Sequence, residues 1–154
     1  MLNVALFEPE IPPNTGNIMR LCANTGCTLH LVRPLGFSLD DKQLRRAGLD
    51  YREHASVQVY DNFEELMLRL APARCWALTT RAYRRYTDAS FSENDLLLFG
   101  PETRGLPQTM LDQLGGQRCL RIPMLPDSRS LNLSNAAALV IYEGLRQLGF
   151  GPLA

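Results

Sequence analysis

Leu96-Leu97-Leu98-Phe99-Gly100-Pro101-Glu102-Thr103-Arg104-Gly105-Leu106-Pro107 carries the pattern that decides the fold of this 154-residue chain. Four apolar residues without a charge read as a strand buried on both faces. A polar loop bracketed by two glycines follows at once. Pro107 then opens a short helix through Leu114, which Gly115 and Gly116 close. Apolar strand, polar loop and helix in that order are the unit of a parallel α/β sheet.

The same unit recurs on either side. Residues 2–7 form an uncharged strand, and Pro12 and Pro13 forbid its continuation. Asn14 or Thr15 can cap the helix that follows. Ile18, Leu21, Cys22 and Thr25 make its apolar face, Asn17, Arg20 and Asn24 lie opposite, and Gly26 ends it. Residues 28–32 are the next strand. Asp40 and Asp41 start a short helix through Ala47, which Gly48 stops. Residues 57–60 and 75–80 read as strands. Between them lies a helix over 62–70, with Phe63, Leu66, Met67 and Leu70 on one face. The stretch 81–92 has weak periodicity. Residues 120–122 form a short strand before Pro123. Leu133, Ala136, Ala137, Val140, Ile141, Gly144, Leu145 and Leu148 form the longest apolar stripe, a final helix closed by Gly149. The expectation is one α/β domain over 1–154, with a mostly parallel sheet flanked by helices.

Composition excludes several functions. The chain has 16 basic and 16 acidic residues, which argues against a general electrostatic nucleic-acid binder while leaving room for a local basic patch. Lys42 is the only lysine and the other basic residues are arginines, a bias that suits phosphate recognition and equally follows from GC-rich coding. Cys22, Cys27, Cys75 and Cys119 form no C-x-x-C pair. With only His30 and His54 beside them they read as buried free thiols, and no metal site is expected. No apolar stretch approaches the roughly 18 residues of a membrane helix, and the start lacks a basic flank, so a cytoplasmic protein without membrane contact is expected.

Three segments exceed what structure alone requires, and each follows a strand's carboxyl end, where open α/β sheets bind ligands. In residues 14–20, Asn17 and Arg20 share a helix face, which is otherwise an ordinary solvated surface. In residues 97–106, Gly100 and Gly105 permit close backbone approach to a ligand. That loop lacks both the G-K-S/T of a phosphate loop and the G-x-G-x-x-G dinucleotide fingerprint. In residues 122–136, Ser130, Asn132, Ser134 and Asn135 crowd a helix start that one cap would satisfy.

Taken together, NTGNxxR, FGPETRGLP and IPM…SRSLNLSNA resemble the three ordered motifs of the trefoil-knot RNA 2′-O-ribose methyltransferases, over nearly the whole chain. The resemblance is nearest to short bacterial members that methylate the wobble ribose, position 34, of leucine tRNAs. It implies an α/β-knot with a C-terminal trefoil knot, S-adenosylmethionine as cofactor, a homodimer, and the anticodon stem-loop of tRNA, not DNA, as partner. It assigns catalytic positions to Asn14, Arg20, Glu102, Ser130 and Asn132. It assigns cofactor contacts to Leu78, Gly100, Glu102, Gly105, Ile122, Met124, Ser130, Leu131 and Asn135. Another tRNA position, ribosomal RNA and a catalytically silent RNA-binding module are the alternatives. No appended RNA-binding domain is read from the chain.

Chemistry narrows what the arginine of the first motif can do. An arginine, with a pKa above about 12, is a poor general base. Arg20 is therefore expected to stabilise alkoxide character or to clamp a phosphate, with Glu102 and Asn14 orienting it. Arg81, Arg84 and Arg85, outside the motifs, and Arg129, within the third, are candidates for RNA contact, with Tyr83 and Tyr86 interleaved among the first three for stacking on unpaired bases.

Overall fold

The computed structural model describes residues 1–47 and 57–154, so Gly48 and His54 lie outside the described residues. Its strands are β1 (Asn3–Phe7), β2 (Thr28–Val32), β3 (Val57–Tyr60), β4 (Cys75–Leu78), β5 (Arg84–Arg85), β6 (Leu96–Phe99) and β7 (Cys119–Arg121). The helices are α1 (Pro12–Thr25), α2 (Lys42–Arg46), α3 (Phe63–Leu70), α4 (Gln108–Leu114) and α5 (Leu133–Gln147). The strands form one sheet in the order β3-β2-β1-β6-β4-β7-β5, and every pairing is parallel. β6 joins β1 on one side to β4 on the other, pairing Leu6 with Phe99 and Leu78 with Phe99.

The apolar runs are buried on both faces because the strand side chains alternate between two cores. Val4, Leu6, Leu97 and Phe99 point to one core, shared with Ile18, Met19 and Cys22 of α1 and Val140, Ile141 and Leu145 of α5. Ala5, Phe7, Leu96 and Leu98 point to the other, shared with Leu66 of α3 and Met110 and Leu111 of α4. The chain after β7 therefore crosses the carboxyl end of the sheet to reach the face opposite α4. All four cysteines are free and buried. Desolvation raises the thiol pKa values, that of Cys75 to about 12. Among the described residues, no helix is long and apolar enough to cross a membrane.

Two local readings change. α1 begins at Pro12, two residues before the expected caps, with Ile11 at the N-cap. Prolines at the first two positions bring no N–H that needs a partner, so a polar side chain of the helix itself is not required there. The β4 strand stops at Leu78, freeing Thr79 and Thr80 to form a loop. Within α1, Gly16 serves packing: a Cβ there would stand 2.5 Å from the Leu44 carbonyl oxygen and the Ala47 Cβ, so only glycine lets α2 approach. At the other end of the helix, Gly26 takes the left-handed conformation at φ 77°, as the sequence predicts.

Candidate active site

The loop after β6 folds back on itself. The Gly105 N–H donates to the Pro101 carbonyl at 2.9 Å, and Gly105 sits at φ 69°. A Cβ on Gly100 would fall 2.5 Å from the Leu106 nitrogen and 2.7 Å from the Gly105 carbonyl carbon. The loop can close this tightly only with glycine at position 100.

Closure places Glu102 against the start of α1. Its carboxylate accepts from the Glu10 N–H at 2.9 Å, the Ile11 N–H at 2.7 Å and the Asn14 side-chain amide at 3.3 Å. A carboxylate from a neighbouring strand's loop thus fixes the two residues that lead into α1, near the helix end where the dipole favours negative charge. Glu10 answers in the other direction, accepting from the Thr103 N–H at 2.9 Å and its hydroxyl at 2.8 Å. These two bonds, the backbone one first, hold the Glu10 carboxyl below the usual carboxylate range. Arg104 pairs with Glu8 at 3.1 Å.

Asn14 extends the network to the third segment. Its side-chain oxygen accepts from the Asn132 amide at 2.9 Å. Asn132 in turn caps α5, accepting from the N–H groups of Ser134 and Asn135 at 2.9 and 3.2 Å and from the Ser134 hydroxyl at 2.6 Å. One chain of side chains, Glu102–Asn14–Asn132, therefore joins segments that lie some 90 to 120 residues apart in sequence. It also absorbs part of the polar excess at the start of α5.

A cavity of about 520 Å³ opens beside this chain at the carboxyl ends of β4, β6 and β7. Leu78, Gly100, Glu102, Gly105, Ile122, Met124, Ser130 and Leu131 line it, as do Asn14 and Asn132. Asn135 does not; it is exposed on α5 and contributes only its backbone N–H to the cap. Thr79, Thr80 and Pro101 also line the cavity and were not singled out in the sequence. The signal for the threonines was position, immediately after a buried strand, and it was hidden by reading β4 two residues too long.

Arg20 stands apart. It is exposed on α1 and outside the cavity lining. Within one chain neither Glu102 nor Asn14 bonds to it; both are engaged at the start of the helix, about 9 Å further back along the axis at 1.5 Å per residue. Of the other candidate arginines, Arg81 lines the cavity, and its guanidinium bonds to the Leu106 carbonyl and, at 2.9 Å, to Gln108. Arg84 donates to the Gln117 carbonyl at 2.8 Å and the Asp88 carbonyl at 3.1 Å. Arg85 and Arg129 are exposed. Tyr83 is fully exposed, whereas Tyr86 packs on the core.

A sequence model described as the SpoU rRNA Methylase family matches residues 1–142. The chain belongs to that family. It is 59% identical over 150 residues to the tRNA (cytidine(34)-2′-O)-methyltransferase of Saccharophagus degradans, covering 97% of each chain. A structure solved for insight into the 2-OH methylation of C/U34 on tRNA superposes with a TM-score of 0.88 at 43% identity, over 97% of each chain. The SpoU methyltransferase AviRb from Streptomyces viridochromogenes, solved with AdoMet, superposes with a TM-score of 0.82 at 26% identity, over 98% of this chain and 62% of that one. The parallel α/β sheet flanked by helices is the fold these relatives share, and the α/β-knot expected from the three motifs is the fold of this family.

Proposed function

We infer that the chain transfers a methyl group from S-adenosylmethionine to the ribose 2′-hydroxyl of nucleotide 34, cytidine or uridine, in tRNA, with leucine tRNAs as the substrates. The observation that carries this reading is the Glu102–Asn14–Asn132 chain beside the cavity, in a protein 59% identical over almost its whole length to a tRNA (cytidine(34)-2′-O)-methyltransferase. The cavity suits the cofactor. Its volume lies in the ordinary range for such ligands. Leu78, Phe99, Ile122 and Met124 offer apolar walls to a flat base, and Thr79, Thr80 and Ser130 offer hydroxyls. When bound, the cofactor supplies an electrophilic methyl group on a sulfonium.

The protein's share is to align the ribose hydroxyl with that methyl group and to favour loss of its proton. Arg20 is the proposed electrostatic partner of the developing alkoxide or of an adjacent phosphate. Its place outside its own cavity supports a homodimer in which a second subunit completes the site. Leu139 and Tyr142, three apart and exposed on α5, supply apolar surface for such a pair.

Incubation with tRNA and labelled S-adenosylmethionine, followed by mapping of 2′-O-methyl groups, should place the label at position 34. Label in ribosomal RNA or at another tRNA position overturns the substrate. Arg20→Ala should lower kcat by about 10²–10³-fold, in the range for loss of one preorganised electrostatic group, with cofactor affinity unchanged. Near-normal kcat with saturating tRNA removes the role. Light scattering that returns 17.3 kDa at working concentration removes the dimer.

A further inference from the structure

Among the described residues six arginines, Arg33, Arg45, Arg69, Arg74, Arg104 and Arg146, pair with carboxylates, and the others, Arg20, Arg46 and Arg129 as well as a group at one edge of the sheet, do not. Along the β5–β7 edge of the sheet, Arg81, Arg84, Arg85, Arg118 and Arg121 have no carboxylate partner among the described residues. Three of the five are occupied in other ways. Arg81 and Arg84 bond to backbone carbonyls, and Arg118 lies 4.7 Å over the Trp76 ring. Arg85 has no side-chain bond among the described residues, and Arg121 has only one long one.

These two are register partners on adjacent parallel strands. Their side chains therefore leave the same face of the sheet from backbones about 4.8 Å apart. Arg121 makes one long bond, 3.5 Å, to the Ala82 carbonyl. Arg85 is exposed, and the carboxylate nearest it in sequence, Asp88, accepts from the Arg85 backbone N–H instead of its guanidinium. Like charges set opposite one another in a sheet are destabilising unless an anion lies between them. Leu120 and Ile122 face the core shared with α1 and α5, so Arg121 leaves the sheet on the other face, with Cys119 and the Ala82 carbonyl.

We propose that Arg85 and Arg121 form a clamp for one backbone phosphate of the bound RNA strand at the β5–β7 edge of the sheet. The proposal rests on the RNA-methyltransferase reading above. Two guanidinium forks on one phosphate fix orientation as well as charge. The neighbouring bases stay unread, so the clamp contributes position without sequence preference.

The test measures binding of an anticodon stem-loop RNA to the parent chain, Arg85→Gln, Arg121→Gln and the double variant at several salt concentrations. S-adenosylmethionine binding and thermal unfolding are followed in parallel. The clamp predicts weaker RNA binding in each single variant and a log K against log salt slope that is shallower by about 0.7–0.9 for each phosphate no longer neutralised. The double variant should resemble the weaker single one, because both act on one phosphate. Cofactor affinity should not move, and the melting temperature should hold or rise, because a like-charge pair has been relieved. Unchanged RNA affinity and slope in Arg85→Gln, whose exposed side chain has no structural bond to lose, overturn the clamp and leave the methyltransferase reading standing. A parent chain that binds no RNA overturns both.

Discussion

Two segments wall the same cavity and are built in opposite ways. The loop after β6 is tied down residue by residue: Glu102 to the start of α1, Thr103 to Glu10, Arg104 to Glu8, and Gly105 to Pro101. The segment from 122 to 132, after β7, is tied by little more than Asn132. Leu125, Arg129, Ser130 and Leu131 along it are exposed, and Asp127 turns at φ 63°. One wall is a fixed template, preorganised before any ligand arrives. The other carries its polar groups on a segment with few internal bonds. Ligand-binding elements with few buried contacts open at low free-energy cost, whereas catalytic geometry requires the opposite. The division puts the preorganised geometry on the β6 side and the adaptable surface on the β7 side.

Removing Glu102 is the strongest way to break that contrast. Glu102→Ala leaves the N–H groups of Glu10 and Ile11 and the Asn14 amide without their partner and releases the network that ties the two walls together. Denaturant unfolding should show a loss of about 2 kcal/mol, and methyl transfer should fall by about 10²-fold. Glu102→Gln, which keeps one acceptor, should lose less of both. A variant of wild-type stability and rate would mean that the β6 wall is not held by this carboxylate.

Acid tests whether stability is governed from outside both walls. His30 of β2 is buried between the Tyr60 hydroxyl, 2.9 Å from Nδ1, and the Asn3 side-chain oxygen, 3.0 Å from Nε2. Burial lowers its pKa from 6.5 to about 4. Between these values the unfolded chain binds the proton and the folded one does not. Stability is therefore full above pH 6.5 and declines as pH falls toward 4, by on the order of 2–3 kcal/mol for this group alone. Unfolding of the wild type and a His30→Gln variant across this range checks the sign; identical slopes would remove His30 as the source.

Gly100→Ala sharpens the comparison at a single backbone position. The new Cβ meets the Leu106 nitrogen and the Gly105 carbonyl carbon, both main chain, so the loop must shift. Calorimetry should show weaker S-adenosylmethionine binding, with a stability loss of about 1–2 kcal/mol. The smallest effect belongs to the opposite wall. Ser130→Ala removes an exposed hydroxyl for which the structure gives no bond, so stability should stay within about 0.5 kcal/mol. Cofactor affinity should fall by up to about 10-fold if the hydroxyl bonds to the ligand. A large stability loss there would show that the β7 wall is as firmly built as its neighbour.

The elements themselves were legible in the order of the amino acids. Uncharged runs such as residues 96–99 had to be strands covered on both faces, and the stripe from Leu133 to Leu148 had to be a buried helix face. Gly26 and Gly149 read as helix ends, and both take the left-handed conformation, at φ 77° and 75°. Three polar segments also stood out as exceeding structural need. Propensity and periodicity report on a residue's near neighbours, so they could not say which segments would meet. Asn14 read locally as a cap for its own helix. Tertiary structure made it the link between Glu102, 88 residues ahead, and Asn132, 118 residues ahead, and left α1 without a side-chain cap. The separation of Arg20 from the cavity, the order in which β6 lies between β1 and β4, and the pairing of Arg85 with Arg121 were likewise decided by packing. Each depends on distances between residues far apart along the chain, which no local pattern encodes.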